Sequence, residues 1–166
     1  YWKKEAIEWS FEFLTKVLKI HIENLAVSVF KGDSNAAKDV ESAERWKLLG
    51  FSEQRIAFLP KEDNWWGPAG ETGPCGPCTE IFYWIAKQKA PDKFNVKDKG
   101  WVEIWNDVFM QYQRTKDGKY RELENKNVDT GMGVERTLAV LNGFKDNYET
   151  ELFQPLIKEI EFISAR

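Results

Sequence analysis

A hairpin signal in the second half of the chain constrains the fold more than any other feature. Trp101–Arg114 is predicted as one long strand, and Asp117-Gly118 after it has the residue types of a tight turn. Tyr120–Leu123 is then predicted to return as a second strand. Strands joined by a hairpin pair antiparallel, so a sheet built around this segment is expected to be mainly antiparallel.

Two further strands and one irregular loop are predicted upstream of the hairpin. Asn24–Lys31 is rich in β-branched and aromatic residues and is followed by turn residues, which is typical of a strand. Residues 55–59 form a short apolar run, and Thr79–Ala86 is predicted as a strand. The segment 67–77 is dense in Gly and Pro, and we predict a loop there because it is too irregular for a regular element.

Apolar residues at helical spacing, together with capping residues, predict four helices. They are Lys4–Ile20, a helix capped by Ser34 or Asn35 that ends at Gly50, a helix with Val134, Leu138 and Leu141 that ends at Gly143, and Glu149–Ser164. The last helix is expected to bury Leu152, Leu156, Ile160 and Ile163. Helices segregated from hairpin-joined strands predict an α+β fold, in which helices flank a mainly antiparallel sheet.

Charge and sequence pattern exclude several classes of protein. The formal net charge is −3, so the chain is not held to nucleic acid by bulk electrostatics, and any RNA contact must be local. No apolar run approaches the length of a membrane span, so no membrane partner is expected. Neither GxGxxG after a first strand nor GxxxxGK followed by Ser or Thr occurs, which disfavours a doubly wound nucleotide-binding sheet.

Two cysteines invite a redox or a metal interpretation. Cys75 and Cys78 are three positions apart, so they cannot form the disulfide framework that stabilises a secreted domain. A reducing, cytoplasmic location is the simpler expectation. The thioredoxin motif has a strand before its first cysteine, whereas here the predicted strand follows. A closed zinc site would need two more ligands, and the one histidine, His21, is distant in sequence. No metal site is therefore predicted.

The most informative stretch for function is Asp129–Arg136, with the sequence DTGMGVER, ahead of an apolar helix. Alternating glycines at a strand end let a flat ligand approach bare backbone, and the helix places Arg136 in its first turn. Arginine is permanently charged and forked, which suits it to a terminal phosphate. The alternative is a glycine-bent junction with a surface arginine, and for Asp129 a turn or capping role.

This pattern resembles motif 3 of the class II aminoacyl-tRNA synthetases. Three blocks resemble alanyl-tRNA synthetases in order and spacing, and they are DNWWGPAGETGPCGPCTEIFY at 63–83, EIWNDVFMQYQR at 103–114 and VDTGMGVER at 128–136. The resemblance covers essentially the whole chain. It implies a class II-like fold, partial here, and a ligase that activates alanine with ATP and Mg2+ and transfers it to tRNA(Ala).

The resemblance also implies a role for individual residues. Arg136 would bind the γ-phosphate of ATP, and Gly131 and Gly133 would belong to the ATP-binding segment. The amino-acid pocket would consist of Asp129, Asn106, Val108, Trp66 and Gly131, with Asp129 pairing with the ammonium group of alanine. No residue is expected to form a covalent intermediate.

Residues 1–145 would be the C-terminal part of the catalytic domain, and residues 146–166 the start of a helical tRNA-recognition region. Motifs 1 and 2 of the family are not found, and the chain starts with Tyr1 rather than Met, so we expect an excised piece. We expect such a piece to be weakly active or inactive alone. The alternatives are a synthetase-like binding or regulatory module, and a split enzyme completed by another polypeptide.

Four other positions depart from the family pattern, and two of them are Glu149 and Glu151, which replace aspartates near the C-terminal helix. Asp107 replaces the usual aliphatic residue beside Asn106, and Trp84 stands where an aspartate usually follows the Phe-Tyr pair. An inward-pointing Asp107 would perturb substrate binding. Strand alternation, however, predicts that its side chain lies on the face opposite Asn106 and Val108.

Overall fold

The computed structural model describes residues 1–164 and confirms an α+β fold built on one mainly antiparallel sheet. Its strands are β1 (Leu25–Phe30), β2 (Ile56–Leu59), β3 (Trp65–Trp66), β4 (Gly73–Trp84), β5 (Trp101–Arg114) and β6 (Tyr120–Met132). The order across the sheet is β2-β1-β4-β5-β6, and β3 pairs with β4. Only the β1–β2 pair among these strands is parallel, so the predicted hairpin dominates the topology.

The helices are distributed along the whole chain. They are α1 (Lys3–Glu12), α2 (Val40–Leu48), α3 (Lys61–Asn64), α4 (Val134–Leu141) and α5 (Gln154–Ser164), with 3-10 turns at Ile22–Asn24, Glu53–Arg55 and Asn147–Glu149. The first predicted helix continues beyond α1 as a wider, π-helical turn over Phe13–Val17. Helix α4 has the predicted bounds, and Gly143 after it has a φ of 69°, the left-handed conformation of a helix terminator.

The predicted cap of the second helix was wrong. Asp39, rather than Ser34 or Asn35, caps α2, since its carboxylate accepts hydrogen bonds from the Ser42 backbone N–H at 3.1 Å and the Ser42 hydroxyl at 2.8 Å. The buried ammonium of Lys3 lies 2.7 Å from the same carboxylate. This cap therefore depends on a contact with α1, which local sequence patterns do not report.

The predicted loop at 67–77 was wrong in its second half, because β4 already begins at Gly73. Both sides of this segment are paired, with Cys75 opposite Tyr112 on β5 and Gly76 opposite Trp66 on β3. A side chain at Gly76 would collide with the Phe109 carbonyl, so the Gly and Pro residues here permit close strand approach instead of preventing pairing.

Two elements near the end of the chain also differ from expectation. Strand β6 runs without interruption to Met132, well beyond the predicted return strand. Helix α5 begins at Gln154, and the apolar residues expected to be buried on it and just before it are about half to three-fifths exposed, namely Leu152, Leu156, Ile160 and Ile163. Periodicity predicted an amphipathic helix there, but these apolar side chains stay largely exposed in the described residues.

The main core lies between helices α1 and α2 and one face of the sheet. It includes Ile7, Leu14, Val27, Trp46 and Phe109, and all five are fully buried. On the other face, a second cluster packs the loop after β4 against the sheet, with Phe94 in contact with Phe82 and Trp101 at ring distances of 5.0 and 5.3 Å. That loop covers only one end of the second face. Within the described residues, no helix is long and apolar enough to span a bilayer.

Candidate active site

The register of β5 and β6 sorts their side chains onto two faces of the sheet. Asn106 lies opposite Gly131, and Val108 lies opposite Asp129. A Cβ atom on Gly131 would stand 3.9 Å from the Asn106 side-chain oxygen, so these residues share one side. We call the side with Asn106, Val108, Asp129 and Gly131 the front face, and the side packed against α1 and α2 the back face. The structure thus brings four predicted pocket residues together.

Arg136 joins the front face through Glu103. Its guanidinium donates to the Glu103 backbone carbonyl at 3.0 Å and to the Glu103 carboxylate at 3.3 Å, while Asn106 donates to the other carboxylate oxygen at 3.3 Å. Gly133 caps α4, and a Cβ atom there would come within 3.4 Å of the Arg136 side chain. The Arg136 side chain is about half exposed, so it remains accessible to an anionic ligand.

Glu80 is a partly buried acid on the front face that the sequence did not single out. It lies opposite Asn106 in the β4–β5 register, and the Ser28 hydroxyl is 3.5 Å from its carboxylate. Burial, followed by the nearby negative charges of Glu103 and Asp63, raises the pKa of Glu80 to about 8. Glu80 therefore holds a proton at neutral pH unless a cation arrives. The segment TEIFYW gives no local signal of the raised pKa of Glu80, because the acids that raise it, Glu103 and Asp63, lie on other elements.

The apolar part of the front face contains a cysteine. Val108 packs with Cys78 and Met110 in a small buried cluster, and Asn64 donates to the Cys78 backbone carbonyl at 3.1 Å. Burial raises the pKa of both Cys75 and Cys78, which keeps the thiols protonated. Both are free thiols in an apolar setting, and this environment opposes a reactive thiolate.

Trp66 is the one predicted pocket residue that the described contacts do not join to the others. It lies on β3 opposite Gly76, and its side chain is 43% exposed. Its neighbour Trp65 is partly buried, stacked on Tyr112 at 5.6 Å and contacted by the Lys61 ammonium at 4.3 Å. The role of Trp66 as a pocket wall therefore stays a prediction.

Asp107 confirms the predicted alternation. Its side chain lies on the back face, 1% exposed, where its carboxylate accepts from the Ser10 hydroxyl at 2.9 Å and the Thr130 hydroxyl at 2.7 Å. It is buried under α1 and does not point to solvent. Burial raises the pKa of Asp107 to about 6, and the two hydroxyl donors limit the increase.

The front face has a donor set that fits a magnesium ion carried by ATP. Glu80 and Glu103 supply carboxylate oxygens, the ligands that Mg2+ prefers, beside the phosphate-binding candidate Arg136. Among residues 1–164 there is no cluster of three or more acid, His or Cys side chains that could enclose a metal. Two carboxylates suit Mg2+, which retains waters and phosphate oxygens.

The molecule also has a large open groove that is separate from this site. A groove of about 780 Å3 near Phe51 and Arg55 contains none of the predicted site residues. The Arg55 guanidinium there is bound to backbone carbonyls of Glu23 and Leu25 at 3.0 and 2.9 Å, which is a structural role. The side-chain chemistry of the front face, and not the size of this groove, therefore indicates the site.

Comparison with known proteins identifies the family of the chain. The family described as tRNA synthetases class II (A) matches residues 1–166. An alanine–tRNA ligase of Treponema denticola is 55% identical over 169 residues, which cover 99% of this chain and 28% of that protein. Alanine–tRNA ligases of Treponema pallidum and Rubrobacter xylanophilus are 52% and 46% identical, covering 96% and 95% of this chain and 27% and 19% of theirs.

The chain thus spans between about a fifth and three tenths of the length of these relatives. The similarity covers nearly the whole chain and so includes all three sequence blocks. On this evidence, the chain belongs to the class II (A) tRNA synthetases.

Proposed function

We propose that this chain forms one wall of a site that activates alanine with ATP. The observation that carries the proposal is the front face, where Asn106, Val108, Asp129 and Gly131 lie on adjacent positions of two paired strands. Arg136 reaches the same face through Glu103. A small amino acid and a nucleoside triphosphate need this mixture of carboxylate, amide, apolar wall and arginine close together.

Alanine has three features that this face can recognise. The Asp129 carboxylate is exposed on the front face and can form a charge-assisted hydrogen bond with the α-ammonium group. The Asn106 amide can donate to the carboxylate, and Val108 can contact the methyl group. One methylene is worth only about 1–3 kcal/mol in an apolar pocket, so glycine and serine are the expected competitors.

In the proposed reaction, a carboxylate oxygen of alanine attacks the α-phosphorus of ATP, and the bond from that phosphorus to the bridging oxygen breaks. Pyrophosphate leaves with the bonding electrons, and alanyl-adenylate remains for transfer to a ribose hydroxyl of tRNA(Ala). Arg136 would hold the γ-phosphate, exchanging its contact with Glu103 for a stronger bidentate one. Mg2+ would neutralise phosphate charge when bound, held on the protein side by Glu80 and Glu103.

The proposal assigns residues 1–145 to the catalytic domain and 146–166 to the start of a helical tRNA-recognition region. The exposed apolar residues of α5 support this division, since a helix of the catalytic core would be expected to bury such residues. The chain alone is expected to be weakly active, because no motif 2 sequence, the family element that grips the α-phosphate, was found. Near-normal alanine-dependent ATP–pyrophosphate exchange by the isolated chain would contradict that expectation.

Calorimetry with a non-hydrolysable alanyl-adenylate analogue tests the proposed site directly. Replacing Asp129 with alanine removes a charge-assisted bond, so Asp129→Ala should weaken binding by about tenfold or more. Glu124→Gln, which changes an exposed acid on the same strand, is the matched control and should bind normally.

Equal binding by the Asp129→Ala variant and the wild type would overturn the assignment of the ammonium site. Absence of binding by a folded wild-type chain would instead favour the alternative, a synthetase-like binding or regulatory module.

A further inference from the structure

The back face of the β5–β6 hairpin contains a second cavity of about 270 Å3, separate from the front face. It lies between α1 with its π-helical turn on one side and strands β5 and β6 on the other. The lining residues that matter here are Trp9, Ser10, Phe13, Trp105, Asp107 and Thr130. Because side chains alternate along a strand, Asp107 and Thr130 enter this cavity while their neighbours Asn106 and Asp129 face the proposed alanine site.

The cavity has aromatic walls. Trp9 and Phe13 are four residues apart along the first helix, so their side chains lie on one side of it. The Phe13 ring packs edge-on against Trp105 at 5.7 Å, and the Trp9 ring packs against Tyr1 at 5.1 Å. Trp9 is 55% exposed, so a large aromatic surface stands at the cavity entrance without being buried in the core.

The acid in this cavity has no countercharge. Asp107 is 1% exposed, and no ion pair among residues 1–164 includes it. A buried carboxylate without a cation is unfavourable for folding, which agrees with the direction of its pKa shift. A bound cation would remove this cost.

The hydroxyl groups that contact Asp107 do not require it. The Ser10 hydroxyl also lies 3.2 Å from the Ile7 carbonyl, and the Thr130 hydroxyl lies 3.1 Å from the Asn106 carbonyl. Both hydroxyls would keep a backbone acceptor if an aliphatic side chain replaced the carboxylate. Local hydrogen bonding therefore does not explain why an acid occupies this position.

We propose that this cavity binds a small organic amine, with its ammonium group on Asp107 and its apolar body between the aromatic walls. The carboxylate supplies the countercharge, the Ser10 and Thr130 hydroxyls supply additional polar contacts, and the faces of Trp9 and Phe13 attract a cation and cover an apolar body. A neutral ligand of the same shape would leave Asp107 unpaired. The proposal does not depend on the function of the front face, which uses different side chains.

Benzylamine and benzyl alcohol form a matched pair of probes, because they share a ring and differ in charge. We expect benzylamine to bind the wild-type chain at pH 7.5 and benzyl alcohol to bind at least about tenfold more weakly, as measured by calorimetry or ligand-observed NMR. In Asp107→Asn that preference should disappear. Glu12→Gln removes an exposed acid from α1, the helix that lines the cavity, and this control variant should retain the preference for benzylamine.

The Trp9→Leu variant is a second test of the cavity, which remains available if Asp107→Asn does not fold. Trp9 is more than half exposed, so the replacement should leave the thermal unfolding midpoint nearly unchanged while weakening benzylamine several-fold. The proposal is overturned if folded wild-type protein binds neither probe. Equal affinities for the two probes, or an unchanged preference in folded Asp107→Asn, would also overturn it.

Discussion

The two faces of the β5–β6 hairpin use the same strands for opposite purposes. On the back face, Phe109 is fully buried in the core and Asp107 is held under α1. The neighbouring residues along each strand lie on the front face. There, Asp129 and Gly131 of β6 are exposed, and Asn106 of β5 is only partly buried. A strand can therefore stabilise the fold with one set of side chains and present the other set to a ligand. The comparison predicts that changes on the two faces separate stability from binding.

The largest expected effect is on stability and comes from the back face. Phe109→Ala should lower the free energy of unfolding by about 3–5 kcal/mol, because it removes a fully buried ring that packs on Trp2 at 5.6 Å. Asn106→Ala, three positions away on the front face, should change it far less. Urea unfolding measures both. Similar losses in the two variants would break the distinction between the faces.

The next effect concerns the buried acid of the back face. Asp107 has a folded pKa of about 6 against an ordinary 3.8, so the folded state binds the extra proton between these values. Stability should therefore fall as pH rises from about 4 to about 6, by on the order of 2–3 kcal/mol. Asp107→Asn should remove this fall and be the more stable protein at pH 7.5. Thermal unfolding of both proteins across that pH range measures the effect. If their stabilities changed with pH in parallel, the raised pKa could not be assigned to Asp107.

Glu80 gives the corresponding test for the front face. Its pKa of about 8, raised from 4.5 by burial and by neighbouring acids, means that stability should decline as pH rises between these values. Glu80→Gln should flatten the decline, so that the variant is the more stable protein at pH 9 by on the order of a few kcal/mol. Mg2+ with ATP should reduce the decline in the wild type only, because cation binding favours the ionised carboxylate. No response of the wild type to Mg2+ and ATP would remove Glu80 from the proposed site.

The smallest effect is expected outside the sheet, on α5. Ile160→Ala should change the free energy of unfolding by less than about 0.5 kcal/mol, because the Ile160 side chain is 60% exposed. The same replacement at the buried Ile81, on the back face of β4, should cost about 2–5 kcal/mol. A loss above about 1 kcal/mol for Ile160→Ala would show that α5 packs in solution.

Much of the fold was predictable, because hairpins and helices leave local signals. The bounds of β5 and α4 agree with the prediction, and the Asp117-Gly118 turn joins β5 to β6, with Gly118 at a φ of 78°. Side-chain alternation also predicted correctly that Asp107 lies opposite Asn106 and Val108. The cap of α2 was missed because Asp39 is held by Lys3, which is 36 residues away.

The proposed site was predictable only in part. The motif residues were found from the sequence because each belongs to a short block with a recognisable pattern. Glu80 and Glu103 were not singled out, since their significance comes from strand register and from charges on different elements. The cavity beside Asp107 was also not predicted, because its walls come from α1, β5 and β6 together.

The sequence alone determined the α+β class, the central hairpin, and which residues alternate along its strands, since these depend on local backbone preference and periodicity. Tertiary structure decided which of those residues meet: Glu103 with Arg136, Asp107 with Ser10, and Cys78 with Val108. It also decided that α5 keeps its apolar face exposed. Burial and electrostatic coupling are set by neighbours in space, and a periodic pattern cannot specify which neighbours those will be.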